Sequence, residues 1–344
     1  MSSCSDSGPG SLRQAVTKAG VGDTILLAAS SACQTIMLTS GPIEIQRDVT
    51  ITGPGPNELA ISGDHLSSAF VIDAGSSASI SGLTFEDAYH GALVVNSASL
   101  SLSFSTIIDS SSDDTEGVQN SGGNVKISNS QFVGAGGSYC CSPLENRSGG
   151  SMSVVNSSIS HNDTVHDAGG ITNGPSSFLR VTNTVIDDNN NGRVGGGIEN
   201  GGSALLVNST VSHNGSSGAG GGVLNRGSLT IVNSAFVSNG STSGGGISNY
   251  GTLIIEGGVI AGNQADLGGG ITNSGPGTIV ITRTDISKNS ATTGGALFNS
   301  GLVNADHCSF VSNADTSNDV FPGVFNDPQA LPIGTLTIVK SSFS

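Results

Sequence analysis

Apolar and polar residues alternate in short segments that recur along the chain. In the segment Ser228–Phe236, Leu229 and Ile231 alternate with polar neighbours, the pattern of a strand with one buried face. The same alternation recurs in the segments that begin at Ala204 and at Thr252. Such segments end at one member of an apolar series: Phe85, Ile107, Phe132, Ile159, Ile186, Val211, Phe236, Ile260, Ile286 and Phe310. The pattern predicts short strands whose apolar side chains stack in the core.

Asparagines recur with the strands, usually after a glycine pair and an apolar residue, as in Gly196-Gly197-Ile198-Glu199-Asn200. They follow one another at intervals of 24 to 27 residues: Asn96, Asn120, Asn146, Asn173, Asn200, Asn225, Asn249, Asn273, Asn299 and Asn326. A period in this range is typical of a solenoid. The sequence therefore predicts an all-β fold, a right-handed single-stranded parallel β-helix of about ten to twelve coils.

The two ends depart from the period. Ser11 can cap a short helix that has Gln14 three residues later and stops at Gly20, and this helix would cover the first coil. We expect one β-helix domain, divided into a cap region (1–22), coils (23–314) and an irregular loop with a last strand (315–344).

Composition narrows the classes of function. The chain has 52 glycines and 4% aromatic residues, which disfavours helices and leaves aliphatic side chains to build the core. A net charge of −15 with only 11 Lys plus Arg argues against a nucleic-acid partner. The acidic surface either keeps the protein soluble or suits a divalent cation such as Ca²⁺. No apolar run reaches the ~20 residues of a membrane-spanning helix, so we expect no membrane insertion.

The first residues and the cysteines bear on the compartment. No signal peptide is visible at the start, so the protein is either cytosolic or an exported protein whose signal is missing from this sequence; we favour export. The five cysteines lack a CxxC spacing and predict no metal site. A disulfide between Cys4 and Cys33 is one option, and the redox state of Cys140 and Cys141 stays open.

Several segments carry a family resemblance. Asp6–Val16, Gly22–Ile25 and Thr50–Pro54 resemble exported bacterial right-handed β-helix repeat proteins. Gly294–Leu297 and Phe310–Asn313 are similar to the passenger repeats of chlamydial polymorphic outer-membrane proteins. The resemblance implies the fold and a secreted or cell-surface setting. It implies no activity, because β-helices carry adhesins, lyases and hydrolases alike.

The longest and most polar loops lie between residues 109 and 213, where we expect the functional surface. The candidate binding residues there are Tyr139, Asp163, His166, Asp167 and Arg193. The candidate ligands for Ca²⁺ or another metal are Asp113, Asp114, Glu116, Asp187 and Asp188.

Three candidate catalytic residues occupy equivalent corners of consecutive coils. His161, Asp188 and His213 would be separated by ~4.8 Å, with Asp188 between two imidazoles. Such a column suits acid–base chemistry or a metal bound by two histidines and one aspartate. The alternative is that these are ordinary polar corner residues.

Glu145 and Glu199 are a second candidate catalytic pair. They lie two coils apart, a predicted Cα separation of ~9.6 Å that resembles the carboxyl spacing of inverting glycosidases. The alternative is an ordinary acidic surface. No cluster of Arg or Lys is evident beside these acids, which counts against a lyase that must neutralise a uronate.

These features predict a secreted or cell-surface scaffold with a binding or adhesive role toward carbohydrate or another surface polymer. The alternative is a polysaccharide-active glycoside hydrolase or lyase that uses the same loops. An enzyme needs two of the candidate side chains to converge on one substrate atom, whereas a binding surface displays them separately.

Overall fold

The computed structural model describes residues 3–28, 33–89, 91–108, 117–134, 141–315, 323–329 and 334–344. Its architecture is an all-β, right-handed parallel β-helix of about 11 turns, as the sequence predicted. Each turn contributes one strand to a first sheet and one or two strands to a second sheet, and all pairings between turns are parallel.

The first sheet carries the candidate site and has 12 strands in the part of the chain that is described. Its strands are Ile43–Ile45, Phe70–Ile72, Leu93–Asn96, Val118–Ser121, Leu144–Arg147, Ile171–Asn173, Ile198–Asn200, Val223–Asn225, Ile247–Asn249, Ile271–Asn273, Leu297–Asn299 and Val324–Asn326.

The second sheet forms the remaining wall in two rows. The first row comprises Asp23–Leu26, Val49–Thr52, Ser77–Ser81, Ser99–Ser103, Asn124–Ser128, Ser151–Val155, Phe178–Thr182, Ser203–Val207, Ser228–Val237, Thr252–Ala261, Thr278–Thr282, Leu302–Asp306 and Thr335–Val339. The second row comprises Thr35–Met37, Ala60–Ser62, Thr84–Glu86, Thr106–Ile108, Gln131–Val133, Ser158–Ser160, Val185–Asp187, Thr210–Ser212, Asp285–Ser287, Ser309–Val311 and Ser342–Phe343. Ser228–Val237 and Thr252–Ala261 run through both rows.

Short strands close the third side of several coils before the chain returns to the first sheet. They form two small parallel sheets from Asp163–Thr164, Asn190–Asn191 and Gly215–Ser216, and from Gln264–Leu267, Ser290–Thr293 and Ala314–Asp315.

Buried asparagine ladders join successive coils at two corners. In the first ladder each side-chain amide donates to the side-chain oxygen of the next asparagine at 2.7 to 2.9 Å. Its members are Asn120, Asn146, Asn173, Asn200, Asn225, Asn249, Asn273, Asn299 and Asn326. The second ladder runs from Asn162 to Asn313 at 2.6 to 3.0 Å. Because nearly every buried amide finds its partners, the ladders satisfy polar groups that burial would otherwise leave unpaired.

The predicted inward positions are confirmed, with one exception. The apolar series from Phe85 to Phe310 is buried throughout. Asn96, in contrast, is exposed, and the register pairs Val95 with Asn120. The first ladder therefore begins one coil later than the sequence period suggested.

The recurring glycine pair has a steric reason. A Cβ added to Gly221 would lie 2.5 Å from the carbonyl oxygen of Gly245 in the next coil, closer than real Cβ atoms approach. The glycine pair thus marks a place where the backbones of neighbouring coils pack against each other, in addition to a turn.

The N-terminal helix spans Leu12–Lys18, and the Ser11 side chain accepts a hydrogen bond from the Gln14 amide. Leu12 and Val16 are buried against the first coil. Ala19 is the C-cap residue, so Gly20 directly follows the end of the helix, as the sequence predicted. Cys4 and Cys33 form the disulfide that the sequence left open.

The C-terminal segment is more regular than the sequence indicated. In place of a loop and one last strand, Val324–Asn326, Thr335–Val339 and Ser342–Phe343 each pair with the preceding coil. The asparagine at position 326 extends the first ladder.

Replacing one ladder asparagine tests the contribution of these bonds. Asn225→Ala removes an acceptor for Asn200 and a donor to Asn249, and we expect a loss of about 1–3 kcal/mol in unfolding free energy. Asn96→Ala is the matched control, since Asn96 is exposed and outside the ladder. Denaturant titration of both variants measures the difference, and equal losses would contradict a special role for the ladder.

Candidate functional site

The outer face of the first sheet presents one column of side chains that includes both predicted glutamates. The register pairs Glu145 with Thr172 and Thr172 with Glu199. The two acids therefore lie two coils apart, with a threonine between them, as the sequence predicted.

Glu145 lies at the centre of a buried ion-pair network. Its carboxylate accepts a hydrogen bond from the Arg147 Nη2 group at 2.7 Å, and the same nitrogen lies 3.0 Å from the Asp167 carboxylate. The Glu145 side chain is only 2% exposed, whereas Arg147 is 46% exposed and Asp167 is 24% exposed. The network thus reaches solvent through Arg147 and Asp167.

Side chains from two coils hold the loop that carries Asp167. The Thr164 hydroxyl donates to the Asp167 carbonyl at 2.7 Å, and the Ala168 amide donates to the Thr172 hydroxyl at 3.1 Å. The Ser142 hydroxyl donates to the Ala168 carbonyl at 2.7 Å. These buried bonds fix the loop over the outer face of the sheet.

Glu199 has its own arginine partner from the following coil. Arg226 Nη1 contacts the Glu199 carboxylate, and the Arg226 side chain is 49% exposed. Each glutamate thus has an arginine beside it, although the sequence showed no cluster of Arg or Lys near these acids. Both Arg147 and Arg226 lie directly after a ladder asparagine, so the residue type at that position was the available signal.

Burial changes the proton affinity of both glutamates. The pKa of Glu145 is raised to about 7. Desolvation is the main cause and the nearby Asp167 carboxylate adds to it, while the Arg147 guanidinium acts in the opposite direction. Desolvation also raises the pKa of Glu199, which Arg226 opposes.

The histidine column does not form the predicted sandwich. His161 Nε2 lies 3.4 Å from Asp188, but His213 Nδ1 turns to Asp187 at 2.8 Å. Partial burial raises the pKa of Asp187, but hydrogen bonds from Ser212 and His213 outweigh it, so the pKa is lowered. Both histidines are more than half exposed, and both adopt left-handed backbone angles at their corners.

The remaining candidates are distributed around this surface. Arg193 Nη1 lies 3.2 Å from His166 Nδ1, and both side chains are exposed, as is Asp163. Four candidates lie outside the described residues: Tyr139, Asp113, Asp114 and Glu116.

Among the described residues, one group of three side chains is close enough to hold a metal ion. Ligand atoms of Cys141, Glu145 and Asp167 lie within 4.8 Å of one another. Cys141 belongs to a disulfide and offers no thiolate, and Arg147 already bonds both carboxylates. The fit to Ca²⁺ is therefore poor at this position.

Comparisons with known proteins support the fold. A family model described as the right handed beta helix region matches residues 68–236. The chain is similar to the solved structure of AlyGC, a PL6 family alginate lyase, with a TM-score of 0.54 and 16% identity over 91% of this chain and 52% of that one. The chain thus spans about half the length of AlyGC. No curated protein matches the sequence.

A second solved structure has a similar length. It is a mannuronic acid specific polysaccharide family 6 lyase from human gut microbiota, with a TM-score of 0.50 and 13% identity over 96% of this chain and 90% of that one. At such low identities, the likeness shows a shared fold. Among the described residues, no helix is long and apolar enough to cross a membrane.

The buried glutamate predicts a pH-dependent stability. Because its pKa rises from an ordinary 4.5 to about 7, the folded protein binds this proton more tightly than the unfolded chain. Its stabilising contribution is complete below pH 4.5 and is lost as the pH rises through about 7. As the pH rises from 4.5 to about 7, the unfolding free energy of the wild type should therefore fall relative to that of Glu145→Gln.

Denaturant titrations at a series of pH values measure this difference. Asp167→Asn removes a carboxylate that raises the Glu145 pKa, so this variant should shift the window to lower pH. A difference between wild type and Glu145→Gln that stays constant with pH would contradict the assignment.

Proposed function

We propose that this protein is a β-helix scaffold that binds an anionic polysaccharide on the outer face of its first sheet. The observation that carries the proposal is the pair of half-exposed guanidinium groups, Arg147 and Arg226, on one edge of that face. Arginine suits this ligand because its planar fork matches a carboxylate in a bidentate geometry.

The local charge supports an anionic ligand in an otherwise acidic protein. Arg147, Arg193 and Arg226 are three of only 11 cationic residues in the chain. Glu145, with its raised pKa, is partly protonated at neutral pH and leaves the Arg147 charge less completely neutralised. A guanidinium has five N–H donors, more than the Glu199 contact of Arg226 uses.

Disulfides and repeats favour a secreted or cell-surface setting. Cys4 and Cys33 are bonded, and Cys141 is also oxidised, which is typical of proteins in an oxidising compartment. The similarity of the Gly294–Leu297 phrase to chlamydial passenger repeats points the same way. Two proteins with a similar fold, an alginate lyase and a mannuronic acid specific polysaccharide lyase, act on polymers of the proposed class.

Polysaccharide cleavage is the second candidate function, favoured by the Glu145 pKa of about 7. A carboxyl with this pKa can hold a proton for a leaving group near neutral pH. Binding is the better-supported function, because Glu145 is buried and bonded to Arg147, and Glu199 lies two coils away with its own arginine partner.

Charge removal at the two arginines tests the binding proposal. Arg147→Gln and Arg226→Gln should each weaken binding of polymannuronate or polyguluronate roughly 10- to 100-fold, the range expected for a lost hydrogen bond to a charged group. Arg180→Gln, on the exposed face of the second sheet, is the matched control. Titration calorimetry measures the affinities, with a neutral polysaccharide as the comparison polymer. Wild-type protein that retains no anionic polymer would overturn the proposal.

Product analysis tests the second candidate. Incubation with the same polymers should release unsaturated ends if the protein is a lyase, or reducing ends without unsaturation if it is a hydrolase. Either activity should be lost in Glu145→Gln and Glu199→Gln. Bound polymer that stays intact in the wild type would exclude cleavage of the polymers tested.

A further inference from the structure

Five residues that directly follow ladder asparagines line one edge of the first sheet in five successive coils. We call Arg147, Gly174, Gly201, Arg226 and Tyr250 the axial track. The last four each donate a backbone hydrogen bond to the carbonyl of the ladder asparagine one coil earlier, at 2.7 to 2.8 Å. The track therefore runs parallel to the rod axis. At ~4.8 Å per coil, the backbones of Arg147 and Arg226 lie roughly 14 Å apart.

The two glycines of the axial track are not required by packing. A Cβ added to Gly174 or Gly201 would have no neighbour closer than 3.4 Å, which is an ordinary contact. At the adjacent Gly202, by contrast, an added Cβ would lie 2.3 Å from a carbonyl oxygen. The same backbone position carries Arg226 and Tyr250 in the following coils. Because Gly174 and Gly201 carry no side chains, backbone forms the floor of the track between the two arginines.

An aromatic side chain continues the axial track beyond Arg226. Tyr250 is 42% exposed on the outer surface, where most apolar side chains would be buried. A tyrosine ring offers a rigid apolar face and a polar tip, so it can stack on the C–H face of a sugar ring while its hydroxyl bonds a sugar oxygen.

We propose that an anionic polysaccharide lies along the axial track, parallel to the rod axis. Its carboxylates contact Arg147 and Arg226, its chain passes over Gly174 and Gly201, and one sugar ring stacks on Tyr250. This inference rests on the proposed function and adds the path of the polymer and an aromatic subsite. A polymer that crossed the sheet along one strand would contact a single arginine and would not meet both Gly201 and Tyr250.

Filling the floor of the track tests the path. Gly201→Tyr places a large side chain between the two arginines, at a backbone position where the next coils already carry Arg226 and Tyr250. We expect it to weaken binding of long polymannuronate or polyguluronate oligomers about tenfold or more. Tyr250→Ala removes the stacking surface and should weaken binding about three- to tenfold.

Ser203→Tyr is the matched control on the other sheet. Ser203 is exposed and pairs with Phe178, so its column already carries an exposed aromatic residue. This variant should bind as the wild type does. Thermal unfolding checks that all three variants are folded, and Tyr250→Ala keeps the path testable if Gly201→Tyr is not.

The outcomes separate the path from the function. If the wild type binds no anionic polymer, the proposed function and this inference fall together. If the wild type binds, and the two arginine variants weaken binding while Gly201→Tyr and Tyr250→Ala do not, the axial path is overturned and the binding function stands. Weakening by both track variants, without an effect of Ser203→Tyr, supports the path.

Discussion

The hydrogen-bonded stacking of one coil on the next is the constraint on which the structure depends. Each ladder asparagine bonds its counterparts through its side chain, and its backbone carbonyl accepts the amide of the residue that follows the next asparagine. Every corner is therefore repeated at the strand spacing of ~4.8 Å. Surface residues inherit this regularity: whatever follows an asparagine is displayed in line with its equivalents.

The same stacking explains why charges at the site perturb one another. The outer face brings acids from neighbouring coils within range of the same arginines, while the loop held by Thr164 and Ser142 excludes water from Glu145. In such surroundings, desolvation prevails over the favourable charge of Arg147. The result is a buried carboxyl with a pKa near neutrality, in contact with an arginine that remains half exposed.

The fold was predictable from the sequence because each coil of a solenoid repeats the same residue pattern at a regular spacing. The spacing of Glu145 and Glu199 followed from that period, and the register confirms it. The partners of these acids did not follow, because they depend on side-chain reach. Arg226 reaches Glu199 in the preceding coil. Asp167, which contacts Arg147, lies in a loop whose path cannot be derived from the repeat period. The histidine column failed for a related reason: equivalent backbone positions do not fix side-chain partners, and His213 bonds Asp187 instead of Asp188.

A solenoid separates the requirements of binding from those of catalysis. Binding to a polymer needs contacts repeated along a line, and substitutions at one backbone position, such as arginine, glycine or tyrosine after a ladder asparagine, supply them without disturbing the core. Catalysis needs side chains that converge on one atom. Two carboxylates in a single column are held two coils apart, ~9.6 Å between their backbones, and can act together only across a substrate. Because Glu145 is buried and bonded to Arg147, the proposed role of this surface is to hold a polymer and not to cut it.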